Sequence, residues 1–461
     1  MNSFSVPETI REKLHSVIRE MSASPHLFVR KPEKHFTRRR KLPLEQLLSL
    51  LLRFGSGSLS RELLDFFQDA PDTVSAPALV QQRDKLLPEA MEHLFRKFTG
   101  TLPSCGTLEG YRLLAVDGSD VKIPPNPADA DPYHQGASGQ RGYNLLHLNA
   151  LYDLESHLYQ DALVQKDRKK HEAQAMIAMA ERQSFRAIVL ADRNYESYNL
   201  MAHLEKQSWY YLIRAKEGKK GTASALRLPE TPKIDLSFTL LLTRKLTARM
   251  RAESDQYRII PATNTFDFLE PGSDGVYPLS FRLVRFPLPD GSSETLLTNL
   301  PRERFPLAAL KQLYTRRWGI ETSFRKLKYT VGLLHFHGKK TDFVMQELYA
   351  RLTMYNYAEA IVSAEAREKQ SKQHAYQINF TTAFHICKAF LRDAISPGTL
   401  AKLPTAVSAA YPPRTKLPAE APYQYGHYLL VSGRVTVRGT ARRRAATIPL
   451  IMFLSLSYIL F

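Results

Sequence analysis

The stretch Tyr314-Thr-Arg-Arg317-Trp-Gly-Ile-Glu321-Thr-Ser-Phe-Arg-Lys-Leu-Lys328 sets one carboxylate among cations. On a helix turning about 100° per residue, Arg317, Glu321 and Lys328 fall roughly 300°, 340° and 320° round from Tyr314. Beside this stripe, at roughly 220–280°, Leu313, Ile320, Phe324, Leu327 and Val331 form a core-facing stripe. A lone Glu at the edge of a buried face, flanked by Arg and Lys, suits a metal ligand next to phosphate-holding groups. Arg317 and Lys328 are the candidates for holding phosphates, Tyr314 for hydrogen-bonding one or stacking, and Arg325 and Lys326 add charge to the same helix. Gly319 costs the helix about 1 kcal/mol against Ala and allows backbone or substrate to come close.

Two further carboxylates sit where such a site needs them. Asp117 and Asp192 each follow a short apolar strand, Tyr111–Val116 and Ala187–Ala191. Neighbouring strand ends bring two carboxylates together, which is costly unless a cation lies between them. A hard divalent cation takes such oxygens. Two ions about 3.5–4 Å apart activate a water and stabilise the leaving oxygen of a phosphodiester. Taken singly, a strand-end Asp is more often a turn former or helix cap. Both together, with Glu321 arriving on a later helix, favour the metal cage. Asp120 is a rival for Asp117 but lies further past the strand end.

Composition points the same way. The chain has 461 residues and a net charge of +19, with a pI near 9.7. Its length allows two to four domains, and so basic a chain expects an anionic partner, nucleic acid before a membrane surface. The two cysteines, Cys105 and Cys387, give neither metal spacing nor a disulfide framework, which suits a reducing compartment. The N-terminus lacks the apolar run of a secretory signal. Residues 448–461 are nearly all apolar but short of the ~20 residues that span a bilayer, so a docked strand or helix, or read-through from an altered reading frame, is expected there.

The elements that must position these groups are legible in outline. Helical spacing covers 8–21, 43–54, 60–68, 77–86 and 89–98, with a basic run at 30–41. The pair 60–68 and 77–86 could form a helix-turn-helix offering Gln81, Gln82, Arg83 and Lys85 to DNA, or belong to an ordinary helical domain. From about 110 the order β-β-β-α-β-α-β points to a mixed sheet with packed helices. Residues 217–300 alternate and are broken by turn formers, as an all-β block is. Helices return at 306–330 and 342–365, and a Pro/Tyr-rich tail with a basic run at 434–444 follows. The domain expectation is a helical, DNA-binding region over 1–105, a core over 106–216 and 301–365 interrupted by the β block, and a C-terminal helical region and tail over 366–461. His335 and His337 lack partners for a metal, His171-Glu172 reads as a helix start, and no Gly-rich phosphate loop, zinc pattern or activated nucleophile stands out.

Tyr314, Arg317, Glu321 and Lys328 match Tyr-x2-Arg-x3-Glu-x6-Lys without departure. With Asp117-Gly-Ser and Asp192-Arg after strands, the chain resembles the DDE transposases of bacterial insertion sequences, in particular the insertion-sequence-four family. The resemblance covers roughly residues 40–360. It implies an α/β, RNase H-like core with a β-rich insertion. It implies that Asp117, Asp192 and Glu321 bind two Mg2+ or Mn2+ ions, with no small-molecule cofactor. It further implies cleavage at the terminal inverted repeats of an element, attack of the freed 3′-hydroxyl on target DNA, a dimer in the DNA complex, and a cytoplasmic, nucleoid-associated enzyme in a bacterium. A nuclease of the same fold that cuts without joining, and a non-catalytic DNA-binding relic, are the alternatives from other classes.

Overall fold

Short apolar runs bounded by turn formers assemble into one ten-stranded mixed sheet in the computed structural model. The structure describes residues 5–400 except 39, 71–72, 105, 137–141, 167, 169, 217–220, 227, 254–255 and 369–378. The expectations for the C-terminal tail, including 434–444 and 448–461, lie outside the described residues. Five helices come first: α1 (Val6–Ala23), α2 (Leu44–Arg53), α3 (Leu59–Phe66), α4 (Ala76–Arg83) and α5 (Glu89–Thr101). Ser5, Ser58 and Ser75 cap α1, α3 and α4 by accepting from backbone N–H groups.

The sheet opens with β1 (Arg112–Ile123), β2 (Tyr133–His134), β3 (Tyr143–Asp153) and β4 (Leu158–Lys166). It continues through α6 (Glu172–Glu181), β5 (Ala187–Ala191), α7 (Tyr198–Lys206) and β6 (Tyr210–Arg214). β3 runs antiparallel to both β1 and β4, whereas β1, β5 and β6 are parallel neighbours. The order β4-β3-β1-β5-β6 is the RNase H-like arrangement.

The next segment supplies β7 (Ile234–Thr243), α8 (Ala248–Ala252), β8 (Tyr257–Ile259), β9 (Val276–Pro287) and β10 (Ser293–Thr298). These strands extend the same sheet beyond β6, in the order β10-β9-β7-β8. The chain then forms α9 (Leu307–Thr315), α10 (Trp318–Lys326), a π-helical turn (Leu327–Val331), α11 (Thr341–Glu368), α12 (Phe380–Phe390) and α13 (Pro397–Leu400).

Alternation along β1 divides the interior in two. Leu113, Ala115, Val121 and Ile123 face the core shared with α1, α2, α5 and α9 to α12. Leu114 and Val116 face a second core with α6, α7 and the β7–β10 segment. α11 is buried almost all round, as a helix at the centre of a helical layer must be.

Three expectations need correcting. First, the strand expected to stop at Val116 runs on to Ile123. Its pairing with β5 ends at Val116↔Ala191, but its ladder with β3 continues to Ile123↔Asn144. Asp117 therefore lies within a strand, at the point where one neighbour leaves it.

Second, the helix expected over 306–330 is broken at Arg316 and Arg317. A straight wheel therefore misplaces Tyr314 relative to Glu321. The apolar stripe survives the break, since Leu313, Ile320, Phe324, Leu327 and Val331 are all buried. Gly319 lets α10 press on the β3–β4 turn: a Cβ there would stand 2.7 Å from Leu154 Cδ2.

Third, Gln82 and Arg83 do not face DNA. Arg83 is 1% exposed and donates to Glu347 Oε1 at 2.9 Å, Phe343 O at 2.8 Å and Gln346 Oε1 at 3.1 Å. Gln82 donates to Leu42 O at 2.9 Å and accepts from Lys85 Nζ at 2.6 Å. Burial of α4 against α11 commits these polar groups to internal partners; Gln81 stays exposed. Among the described residues no helix is long and apolar enough to cross a membrane.

Candidate active site

The register of two parallel strands brings the aspartates together. Asp117 and Asp192 are each the residue after the Val116↔Ala191 pair, on strands about 5 Å apart. One oxygen of each is already committed locally. Asp117 Oδ1 accepts from Gly118 N at 2.8 Å, and Asp192 Oδ1 accepts from Asn194 N at 2.8 Å as it caps a short turn, Arg193–Tyr195. That leaves Oδ2 of each without a described hydrogen bond.

Glu321 arrives in the first turn of α10, and Arg317 stands between it and Asp117. Arg317 Nη2 donates to Glu321 Oε1 at 2.7 Å, while Nη1 is 3.8 Å from Asp117 Oδ2. Burial lifts the Asp117 carboxyl to about 6, against the pull of Arg317 and the Gly118 amide and with help from the charges of Asp192 and Glu321. Arg317 is 8% exposed. Burial alone would lower its basicity, but Tyr314, Glu321 and Asp117 outweigh that and raise it. Its guanidinium also lies 5.8 Å from the Tyr314 ring centroid and 5.4 Å from that of Trp318, which is exposed. Its Nε is buried without a hydrogen-bond partner.

The remaining members of the motif divide. Tyr314 is buried and donates to Ala191 O at 3.2 Å, so its hydroxyl secures a strand end instead of reaching phosphate. Lys328 is half-buried. Burial lowers its basicity, and the charges of Asp120 and Asp117 oppose that. Arg325 is exposed. Lys326, expected to add to the phosphate surface, turns away: Nζ donates to Glu359 at 3.2 Å and lies 4.5 Å from the Phe380 ring centroid. The π-helical turn after Lys326 changes the register, so neighbours in sequence face different ways.

Asp120 belongs to a separate network. His147 Nδ1 is 2.6 Å from Asp120, and its Nε2 is 3.0 Å from Glu172. The ring occupies the space above Gly118, where an added Cβ would sit 2.4 Å from His147 Nε2; this is why Asp117 is followed by glycine. His171 accepts from Gln174 N at 3.1 Å as the cap of α6, as expected. His337 is held by Glu347 and by Gly57 O.

The transposase DDE domain family matches residues 108–357 of the 461. The chain belongs to the DDE transposase family. Its function is DNA transposition, and it is an enzyme. It is 25% identical over 421 residues to the transposase InsG for insertion sequence element IS4 of Escherichia coli (strain K12), covering 84% of this chain and 88% of that protein. It is 30% identical over 124 residues to the putative transposase y4zB of Sinorhizobium fredii (strain NBRC 101917 / NGR234), covering 27% of this chain and 33% of the relative. A cryo-EM structure of piggyBac transposase in a synaptic complex with hairpin DNA aligns over 92% of this chain and 88% of that one, at 9% identity and a TM-score of 0.44.

The DDE transposase family generally uses divalent metal ions. The donor set of this transposase fits a hard cation: three carboxylates, two of them with an oxygen held in place by backbone and the other available. Among the described residues, no three His, Cys, Asp or Glu side chains already stand at ligand spacing.

Sequence reasoning missed Arg214 and Glu294. Arg214 closes β6, the third parallel strand, at the same sheet end as Asp117 and Asp192, and its Nε is 3.5 Å from Glu294 Oε1 on β10. Burial raises the Glu294 carboxyl, opposed by Arg214, Arg317 and Lys311. The signal was present, because the carboxyl ends of parallel strands are where sites form, and Tyr210–Arg214 ends in a charge.

Proposed function

We propose that this transposase cuts DNA at the ends of an insertion sequence and joins the freed 3′-hydroxyl to target DNA. Asp117, Asp192 and Glu321 are the cation ligands, two Mg2+ or Mn2+ ions being the expected complement. When bound, the ions activate the attacking oxygen and stabilise the leaving one. The chain's own groups do the rest. The backbone N–H groups of Gly118 and Asn194 fix one oxygen of Asp117 and one of Asp192. Tyr314 holds the end of β5 against α9. Arg317 is the counter-charge that keeps the acids together before a cation arrives, and it is then free to take a phosphate oxygen. Lys328 and Arg325 position the strand along α10.

One observation carries this reading: Asp117 on β1 and Glu321 on α10 flank the buried Arg317 guanidinium, and the parallel register sets Asp192 at the end of the strand next to Asp117. The substrates follow as double-stranded DNA, the element's terminal inverted repeats and a target, in a cytoplasmic protein that pairs as a dimer on DNA. The helical region before residue 106 supplies contacts to the element ends through its exposed basic residues; residues 217–300 form the insertion and 301–365 complete the core.

The test uses linear DNA carrying the element ends, Mg2+ and a plasmid target. Cleavage followed by joined product is expected. Cleavage without joining would reduce the proposal to a nuclease, and metal-independent binding without cleavage would reduce it to a DNA-binding protein.

A further inference from the structure

A cleft of about 990 Å³ lies between the start of α6, the turn after Asp192, the start of α7 and the segment running from β8 to Phe266. Two contacts tie it to the aspartates. Asn194, which lines it, donates its backbone N–H to Asp192 Oδ1 at 2.8 Å. Glu172, which also lines it, reaches over the residue after Asp117: a Cβ on Gly118 would stand 2.9 Å from Glu172 Oε1. Ile177, Ile260 and Phe266 in its walls belong to the second core, whereas Ile320 and Phe324 of α10 belong to the first. The cleft and the motif helix therefore flank the strands of the site from opposite faces of the sheet.

Among the described lining residues, Lys170, Lys216 and Arg258 are cations, and Glu172 and Glu196 are the acids. Both acids are committed to internal partners. Glu196 accepts from the backbone N–H groups of Lys216 and Thr222, and Glu172 lies 3.0 Å from His147 Nε2. Lys170 stands 3.6 Å from Asp120 in an exposed pair, which solvent screens. Walls of this kind suit the phosphates of a DNA strand, whose contacts fix position without reading sequence.

We propose that this cleft holds the target DNA strand during joining. The inference rests on the reading of the chain as an enzyme that joins the freed 3′-hydroxyl to target DNA. In that step the element's 3′-oxygen loses its proton and bonds to a target phosphorus. The bond from that phosphorus to the target's own 3′-oxygen breaks, and the leaving oxygen takes up a proton. In-line displacement sets the two oxygens on opposite sides of the phosphorus. The element strand lies along α10, so the target approaches from the other face of the sheet, where the cleft carries its cations.

Two measurements test this. The first uses a branched oligonucleotide that mimics the joined product, with 4-thiothymidine in the target arm beside the junction. After irradiation, cross-links mapped by mass spectrometry are expected in segments 170–174, 194–199 and 258–266. The second uses Lys216→Ala and Arg258→Ala. Each is expected to lower joining of a pre-cut end to a plasmid about 10-fold and to reduce the salt slope of target binding by about one. Cleavage of an uncut end is expected to stay at the rate of the unsubstituted protein. Lys245→Ala is the control, an exposed cation of the same β segment paired with Asp274, and is expected to leave joining unchanged.

Cross-links confined to other segments overturn the inference. Unchanged joining in both cleft variants also overturns it, while leaving the three acids as ligands. Equal loss of cleavage and joining assigns the cleft to DNA flanking the uncut end and overturns it as a target site. Equal loss in Lys245→Ala reduces the effect to overall charge and overturns it. Failure of the unsubstituted protein to join a pre-cut end overturns the joining reading itself, and this inference with it.

Discussion

The Tyr314 hydroxyl donates to the carbonyl of Ala191 at 3.2 Å, tying the helix ahead of Glu321 to the residue ahead of Asp192. Tyr314→Phe should lower stability by about 0.5–1.5 kcal/mol, and Tyr314→Ala by about 3–5 kcal/mol through the cavity it leaves. Urea unfolding measures both. A Tyr314→Phe midpoint equal to that of the unsubstituted protein would show that the bond adds nothing.

Asp117→Asn, Asp192→Asn and Glu321→Gln each keep side-chain shape and remove a charge. Each is expected to slow DNA cleavage at least ~10³-fold, about 4 kcal/mol of barrier, while binding to element-end DNA persists in a mobility-shift assay. Near-normal cleavage by any one of them removes that residue from the ligand set.

Arg317→Ala leaves half-buried acids without their counter-charge. In metal-free buffer the variant should be less stable, and Mn2+ should recover more of its stability than it adds to the unsubstituted protein. An identical Mn2+ effect on both proteins would mean that Arg317 is not the counter-charge of the cation ligands.

The two lysines near the end of α10 should separate cleanly. Lys328→Ala should impair joining more than the first nick, in an assay comparing pre-cut with uncut ends. Lys326→Ala should leave both steps within about 2-fold, because its charge is spent on Glu359; any loss there belongs in a stability measurement. A joining defect in Lys326→Ala matching that of Lys328→Ala would contradict the orientations described.

Glu347 sets an acid limit on the fold. Burial alone would push its carboxyl up. The His337 hydrogen bond, with Arg83 and Arg351, outweighs this and holds it at about 2, against 4.5 when unfolded. A depressed folded value means that the stabilisation is complete above pH 4.5 and drains away as pH falls towards 2. Glu347→Gln should flatten that part of the stability profile and cost about 3–5 kcal/mol at neutral pH. An unchanged acid slope in the variant would assign the acid transition to other carboxyls.

How much of this was legible depended on whether a signal was local. β5 and its terminal Asp192 were readable because five apolar residues stop abruptly at a charge. The capping role of His171 was readable for the same reason. The extension of β1 past Asp117 was not, because only its partner β3 sustains it and pairing is a non-local property. The break at Arg316–Arg317 was hidden because both halves carry good helix formers and the apolar spacing continues across it. Arg83 read as a surface cation because nothing within α4 announces Glu347, which lies 264 positions later in the chain.

The strands after β6 all lie beyond it, β10 against β6 and then β9, β7 and β8 outward, and none is inserted among β3, β1 and β5. Length in that region can therefore be gained or shed a hairpin at a time, like planks at the side of a deck, without shifting the register that brings Asp117 level with Asp192. Sequence divergence among relatives should accordingly gather between Arg214 and Ser293, with the spacing from strand end to strand end on the inner side held fixed.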